Sequence, residues 1–234
     1  MYYKIAIYLY IFTLSLSLIL FARYIYIKKN QLDIPIKTLF RDNIKTGDVF
    51  LVDWQRINNI FLASLFSNSF MHPAIAVWDK GDLFMIELIN YFDDDKYKGL
   101  IKIPFNKWYR INKKGLVLYN KLKIKGDCKE RRKELADKIL NFYTEYKGKM
   151  GQPNGFSRDW IRFWFPQKDY QPLKKFDNII CTEVIAMLLK EINIAKKDKS
   201  VENYMPDSFI AMKDFNLEEG YSFKEHYLVK MNEL

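Results

Sequence analysis

Asn178-Ile179-Ile180-Cys181-Thr182-Glu183-Val184-Ile185 decides how this chain is read. A polar signal, Asp177-Asn178, precedes an apolar run with helical spacing. Cys181, Val184, Ile185, Leu188 and Ile192 fall at i, i+3, i+4, i+7 and i+11, which is one face of a helix. Asp177 or Asn178 is placed to cap its start. Cys181 then lies in the first turn, where unpaired N–H groups and the helix dipole favour an anion such as a thiolate. Two readings of this cysteine stand side by side. An apolar helix face is also where a free cysteine is simply buried.

Composition narrows the alternatives. The chain has 234 residues, 49% hydrophobic and 17% aromatic, enough for one substantial core plus an appendage. Its only cysteines are Cys128 and Cys181, which excludes a disulfide scaffold and leaves too few thiolates for a cysteine-based zinc site. Its only histidines are His72 and His226, so any imidazole chemistry has two candidates. The formal net charge is +10. Lys4, Arg23, Lys28 and Lys29 supply four of those charges within residues 1–30, with no acid among them, which leaves +6 on the remainder. The remaining cations are scattered among acids, unlike a nucleic-acid patch, and suit an anionic membrane face.

Residues 5–22 contain no charge, and apolar character continues past Arg23 to Ile27. That length spans a bilayer as a helix, bracketed by Tyr2, Tyr3, Tyr24 and Tyr26 at interface depth. The run exceeds the apolar region of a signal peptide, and no small-x-small cleavage site follows it. The reading is therefore an uncleaved, single-pass anchor over residues 1–29. Arg23, Lys28, Lys29 and Lys37 follow the span, against Lys4 before it, which places the C-terminal part on the cytosolic side. There both thiols stay reduced.

Residues 30–45, with Pro35 and mixed polarity, read as a linker, and residues 46–234 as the globular domain. Gly47-Asp48 opens a strand over residues 49–52. A short helix is predicted over 56–66, a loop over 67–69, a strand over 72–78, a turn at 79–82 and a return strand over 83–89. Asp93-Asp94-Asp95 lacks the glycine and distal glutamate of a calcium loop and reads as a solvated turn. Further strands are expected at 101–103 and 116–124, with a polar aromatic loop at Trp108-Tyr109 between them. Residues 129–146 show an amphipathic stripe of Leu135, Ile139, Phe142 and Tyr146, with Cys128 at its leading edge and Lys147-Gly148 as a C-cap. The stretch 151–172 is rich in glycine, proline and aromatics without a period. A charged loop at 196–199 and a strand over 221–230, carrying His226, close the chain.

The hairpin supplies what a nucleophilic cysteine needs: a base, and a group that orients the base. With Lys80-Gly81 as a two-residue turn, Trp78 pairs with Leu83, Ala74 with Glu87 and His72 with Ile89. His72, Ala74 and Glu87 then share a face, and His72 and Glu87 are diagonal neighbours. A carboxylate beside an imidazole fixes its tautomer and stabilises imidazolium, which in turn holds a thiolate. Glu87 otherwise sits inside the apolar run Met85-Ile86-Glu87-Leu88-Ile89, where an ionisable residue requires a partner. A solvent-facing Glu87 and a strand-end His72 at the surface remain the competing reading. His226, in the charged segment Lys224-Glu225-His226-Tyr227, reads as a surface residue.

Four segments together carry a resemblance: Gly47-Asp48-Val49-Phe50-Leu51-Val52, His72-Pro73-Ala74-Ile75-Ala76-Val77, Ile86-Glu87-Leu88 and Ile180-Cys181-Thr182-Glu183-Val184. In this order they resemble the permuted papain-like amidases of the YaeF/YiiX type, over about residues 45–190. The wider group is similar to lecithin retinol acyltransferase. The resemblance implies an α+β, circularly permuted papain-like cysteine hydrolase fold, with an antiparallel sheet packed on the Cys-bearing helix and an N-terminal transmembrane helix. It implies Cys181 as nucleophile, His72 as base and Glu87 as the orienting third member, with no metal or cofactor required. The expected partners are the lipid bilayer and an amide- or ester-containing substrate, peptide or lipid. A lipid acyl hydrolase or acyltransferase, or a non-catalytic tethered binding module of the same fold, is the alternative. Pro73 departs from the small apolar residue usual after the histidine and marks an edge or bend. The stretch 148–172 also departs from the family's shorter segment.

Overall fold

A computed structural model describes residues 2–32, 34–53, 70–90, 98–113, 115–149 and 179–231. The first helix, α1, covers Tyr2–Leu32, and its segment Ile5–Tyr26 is long and apolar enough to cross a membrane. Strand β1 (Ile36–Leu39) follows, then β2 (Val49–Asp53), β3 (Phe70–Asp79), β4 (Asp82–Asn90) and β5 (Lys98–Pro104). Helix α2 (Phe105–Asn112), strand β6 (Val117–Ile124), helices α3 (Lys129–Tyr146) and α4 (Cys181–Glu191), and strand β7 (Tyr221–Met231) complete the described elements. The strands form one seven-stranded sheet in the order β1-β7-β6-β2-β3-β4-β5. Every neighbouring pair is antiparallel except β1 with β7, which is parallel.

Strand alternation sends side chains to two cores. Val49, Leu51, Ile75, Val77 and Leu118 face α3, α4 and the segment around Phe209. Phe50, Val52, Ala74, Met85 and Tyr119 face α2. Helix α4 is buried on every side from Thr182 to Lys190, not along one stripe alone. A helix apolar all round belongs in an interior, and its one lysine confirms the rule by its pairing. Lys190, fully buried, is bonded to the Lys196 carbonyl and to Asp198 Oδ1 at 3.0 Å.

The chain entering the sheet differs from the expected linker. Helix α1 runs on to Leu32, and β1 pairs in register with β7 from Ile36–Leu228 to Leu39–Met231. The Leu228 N–H donates to the Pro35 carbonyl at 2.9 Å, and Leu39 and Ile44 are buried. One-sided burial gives an edge strand the mixed polarity of a linker, which is why composition alone misplaces it. Trp108 and Tyr109 likewise lie in α2 and not in a loop. Phe105, Trp108 and Asn112, at i, i+3 and i+7, are its buried face. The expectations at 56–66, 67–69, 93–95 and 151–172 lie outside the described residues, as does the proposed cap Asp177-Asn178. The described N-cap is Ile180, whose N–H donates to Glu183 Oε2 at 3.0 Å.

Gly47-Asp48 forms the corner that starts β2. Gly47 has φ +93°, and its N–H donates to the Ala76 carbonyl while the Ala76 N–H donates to the Asp48 carbonyl, both at 2.8 Å. A Cβ there would lie 2.5 Å from Leu122 Cδ2 and 2.9 Å from Leu135 Cδ2. The Asp48 carboxylate is fully buried and accepts from the Tyr119 hydroxyl (2.5 Å), the Lys45 N–H (2.8 Å) and the Leu122 N–H (2.9 Å). Burial pushes Asp48 up to about 6, against the pull of these donors. Gly47→Ala is expected to cost about 1–3 kcal/mol, combining a positive-φ residue with a steric clash. Equilibrium denaturant unfolding checks this through a lower midpoint at unchanged slope.

Candidate active site

The β2–β3 register shifts between Val52 and Asp53, with Val52 opposite His72 and Asp53 opposite Phe70. This bulge lies beside His72 and re-aims the strand end, as bulges do next to functional sites. On the other side, the β3–β4 ladder has the expected register, with Trp78 opposite Leu83, and ends at Ile75–Ile86. His72 and Glu87 lie just past that end. The backbone pairing expected there, Ala74 with Glu87 and His72 with Ile89, falls beyond the ladder. A side-chain bond spans the gap instead: His72 Nε2 and Glu87 Oε2 are 2.9 Å apart. Pro73 fits for the same reason. Ala76 uses its polar groups toward β2, so by alternation Pro73 turns toward β4, where no ladder bond is lost. Strand β3 is interior, yet at Pro73 it is locally an edge.

Cys181 is the first residue of α4, which packs on β3 and β4, and its side chain is partly exposed. His72 is hydrogen-bonded to Cys181 as well as to Glu87. With Nε2 on Glu87, Nδ1 is the nitrogen left for the sulfur. His72 is 4% exposed and Glu87 1%, so within this row solvent or a substrate meets the sulfur first. Burial alone would lower the affinity of the His72 ring for a proton. The negative charge and hydrogen bond of Cys181, with those of Glu87, outweigh it and push the ring up to about 10. The arrangement therefore favours a proton on the imidazole at neutral pH.

A fourth residue escaped the sequence reading. The indole N–H of Trp108, on α2, donates to Glu87 Oε2 at 2.9 Å, the same oxygen that meets His72. The spacing of Phe105, Trp108 and Asn112 was the available signal, but the segment's polar neighbours masked it. The remaining candidates lie elsewhere. His226 is on β7, with β6 and β2 between it and β3. Cys128 is exposed at the start of α3 and shares a surface cleft with Trp78, Lys80 and Arg132 at the hairpin tip. Trp78 is six residues along β3 from His72, roughly 20 Å of strand, so the two cysteines are well apart.

No family model matches this chain, and no curated protein matches it. Among solved structures it is similar to the crystal structure of metalloprotein YiiX from Escherichia coli O157:H7, DUF1105. That likeness has a TM-score of 0.43 and 13% sequence identity, and covers 65% of this chain and 70% of the other. Among the described residues of this chain, no group of three or more His, Cys, Asp or Glu side chains is placed to hold a metal ion.

Because His72 is raised from 6.5 to about 10, the stability it contributes is complete below pH 6.5 and is lost as pH climbs through 10. Cys181→Ala removes the leading upward cause. The His72 ring resonance, followed by NMR titration, is expected to titrate lower by about one unit or more. The loss of stability between pH 6.5 and 10 should shrink with it.

Proposed function

We propose that this protein is a membrane-anchored thiol hydrolase with a permuted papain-like domain, acting on an amide bond. The observation that supports the reading most is the His72 ring, bonded at one side to a buried carboxylate and at the other to a partly exposed sulfur. The order of the four sequence segments, with the cysteine helix after the histidine hairpin, favours the permuted form of the fold. In this reading the helix Ile5–Tyr26 anchors the domain, and the positive charges after it favour a cytosolic domain.

The Cys181 sulfur attacks the substrate carbonyl carbon, and the carbonyl π electrons move to oxygen. The start of α4, including the Cys181 N–H, is where that oxyanion finds donors. Collapse breaks the C–N bond, and His72 delivers its proton to the departing amine, leaving a thioester on Cys181. Water then attacks the thioester and gives a proton to His72. The C–S bond breaks, the acid leaves and the sulfur is restored. Glu87 accepts a hydrogen bond from the ring throughout and holds it in the orientation that the sulfur needs. An ester or lipid amide fits the same steps, and the bilayer-length apolar helix favours a substrate presented at a lipid surface. In that variant the acyl group comes from lipid.

A thiol-directed alkylating probe on the full chain in detergent, near neutral pH, tests the reading. Cys181 is expected to label at least about ten-fold faster than the exposed Cys128, and His72→Ala to remove most of that advantage, as paired cysteines generally behave. Equal labelling of both thiols, indifferent to His72, would instead indicate a non-catalytic tethered module. Product analysis with peptide-amide and phospholipid substrates separates the two hydrolase forms.

A further inference from the structure

We propose that Trp108 is a positioning residue for Glu87: its indole N–H keeps the carboxylate ionised and turned toward His72, so that the proton stays on the imidazole. This rests on the thiol-hydrolase reading and adds a residue to it. Two N–H groups, Trp108 Nε1 and His72 Nε2, reach the same oxygen, Glu87 Oε2, each at 2.9 Å. An indole N–H can only donate. Its bond to a carboxylate is about twice as strong as its bond to a neutral acid. Moving the His72 proton onto Glu87 would therefore weaken the Trp108 bond, and the indole opposes that transfer.

The ring is fixed where this requires. Trp108 is fully buried, edge-on to Phe50 at 5.5 Å and stacked with Phe105 at 6.0 Å. Its carbonyl accepts from the buried Asn112 Nδ2 at 2.9 Å, which braces the last turn of α2. Past that turn, Gly115 passes so close to the end of β2 that a Cβ would lie 2.3 Å from the Asp53 carbonyl oxygen. The indole thus lies on one face of the sheet, against Phe50 of β2 and bonded to Glu87 of β4. Among the described residues, Asp53 is a further buried acid at the end of β2, and several other charged groups on the elements around β4 are engaged elsewhere or face solvent. On β5, Lys102 bonds Asp79 at 2.6 Å, and on α4, Glu183 accepts from the Ile180 N–H. Lys107 and Arg110 of α2 are exposed.

The experiment follows the alkylation rate of Cys181 against pH in the full chain, with the Cys128 peptide as internal control. It compares the natural protein with Trp108→Phe, and with Trp108 replaced by 3-benzothienylalanine, which keeps the bicyclic shape and lacks the N–H. Without the donor, Glu87 takes up a proton more readily, so the acid limb of the Cys181 profile should move up by about one pH unit. The Cys128 profile should not move. A merely structural Trp108 would lower the melting temperature of Trp108→Phe and leave all three Cys181 profiles superimposed, which overturns the proposal. If Trp108→Phe fails to fold, the benzothienyl protein decides alone. A fast Cys181 whose profile ignores the indole removes this inference only. A Cys181 no faster than Cys128 in the natural protein removes the hydrolase reading and this inference with it.

Discussion

A carboxylate inside an apolar sheet is the constraint on which the rest depends. Glu87 is flanked in β4 by Ile86 and Leu88 and is 1% exposed. Leaving such a charge unpaired costs several kcal/mol even after relaxation. The fold meets this with two N–H donors on one oxygen, one from the neighbouring strand and one from α2. Beyond Ile75–Ile86, where the β3–β4 ladder ends, this side-chain bond links the two strands. It also explains why the aromatic group of Phe50, Phe105 and Trp108 lies on this face of the sheet. Those rings hold an indole at the right height as well as filling the core.

Asp48 is another of the buried acids, and comparing it with Glu87 separates architecture from chemistry. Asp48 is satisfied by backbone N–H groups of Lys45 and Leu122 and by the Tyr119 hydroxyl. Burial keeps that hydroxyl protonated and donating. All of these partners are fixed, none titrates near neutrality, and none is a nucleophile. They tie the start of β2 to β6. Glu87 instead bonds an imidazole whose far side meets a sulfur at a helix start. The difference lies in the partners. The same residue class, equally buried, is a structural knot in one place and the end of a proton-holding row in the other.

Much of this was legible from residue order, and the limits are physical. The turn Asp79-Lys80-Gly81-Asp82 sets the hairpin register, since Lys80 (φ 51°) and Gly81 (φ 90°) both take the left-handed conformation of a tight two-residue turn. That register puts His72 and Glu87 within reach of each other. The periodicity after Cys181 marks α4, and the stripe from Leu135 to Tyr146 marks α3. Three features were not legible. Strand β1 gains its identity only from β7, nearly two hundred residues later, so no local pattern reveals it. Helix α2 spans two turns, too short for a clear period against Lys107 and Arg110. The β3–β4 ladder ends at Ile75–Ile86, short of the pairing that a register rule extends through.

The central claim is that the Cys181 sulfur and the His72 ring interact in the folded protein. A double-mutant cycle on the unfolding free energy, with Cys181→Ala, His72→Gln and the two combined, tests it most directly. The account expects a coupling energy of about 1 kcal/mol or more between the two positions. Changes that add to within a few tenths of a kcal/mol would mean that the sulfur and the ring ignore each other, and would contradict it.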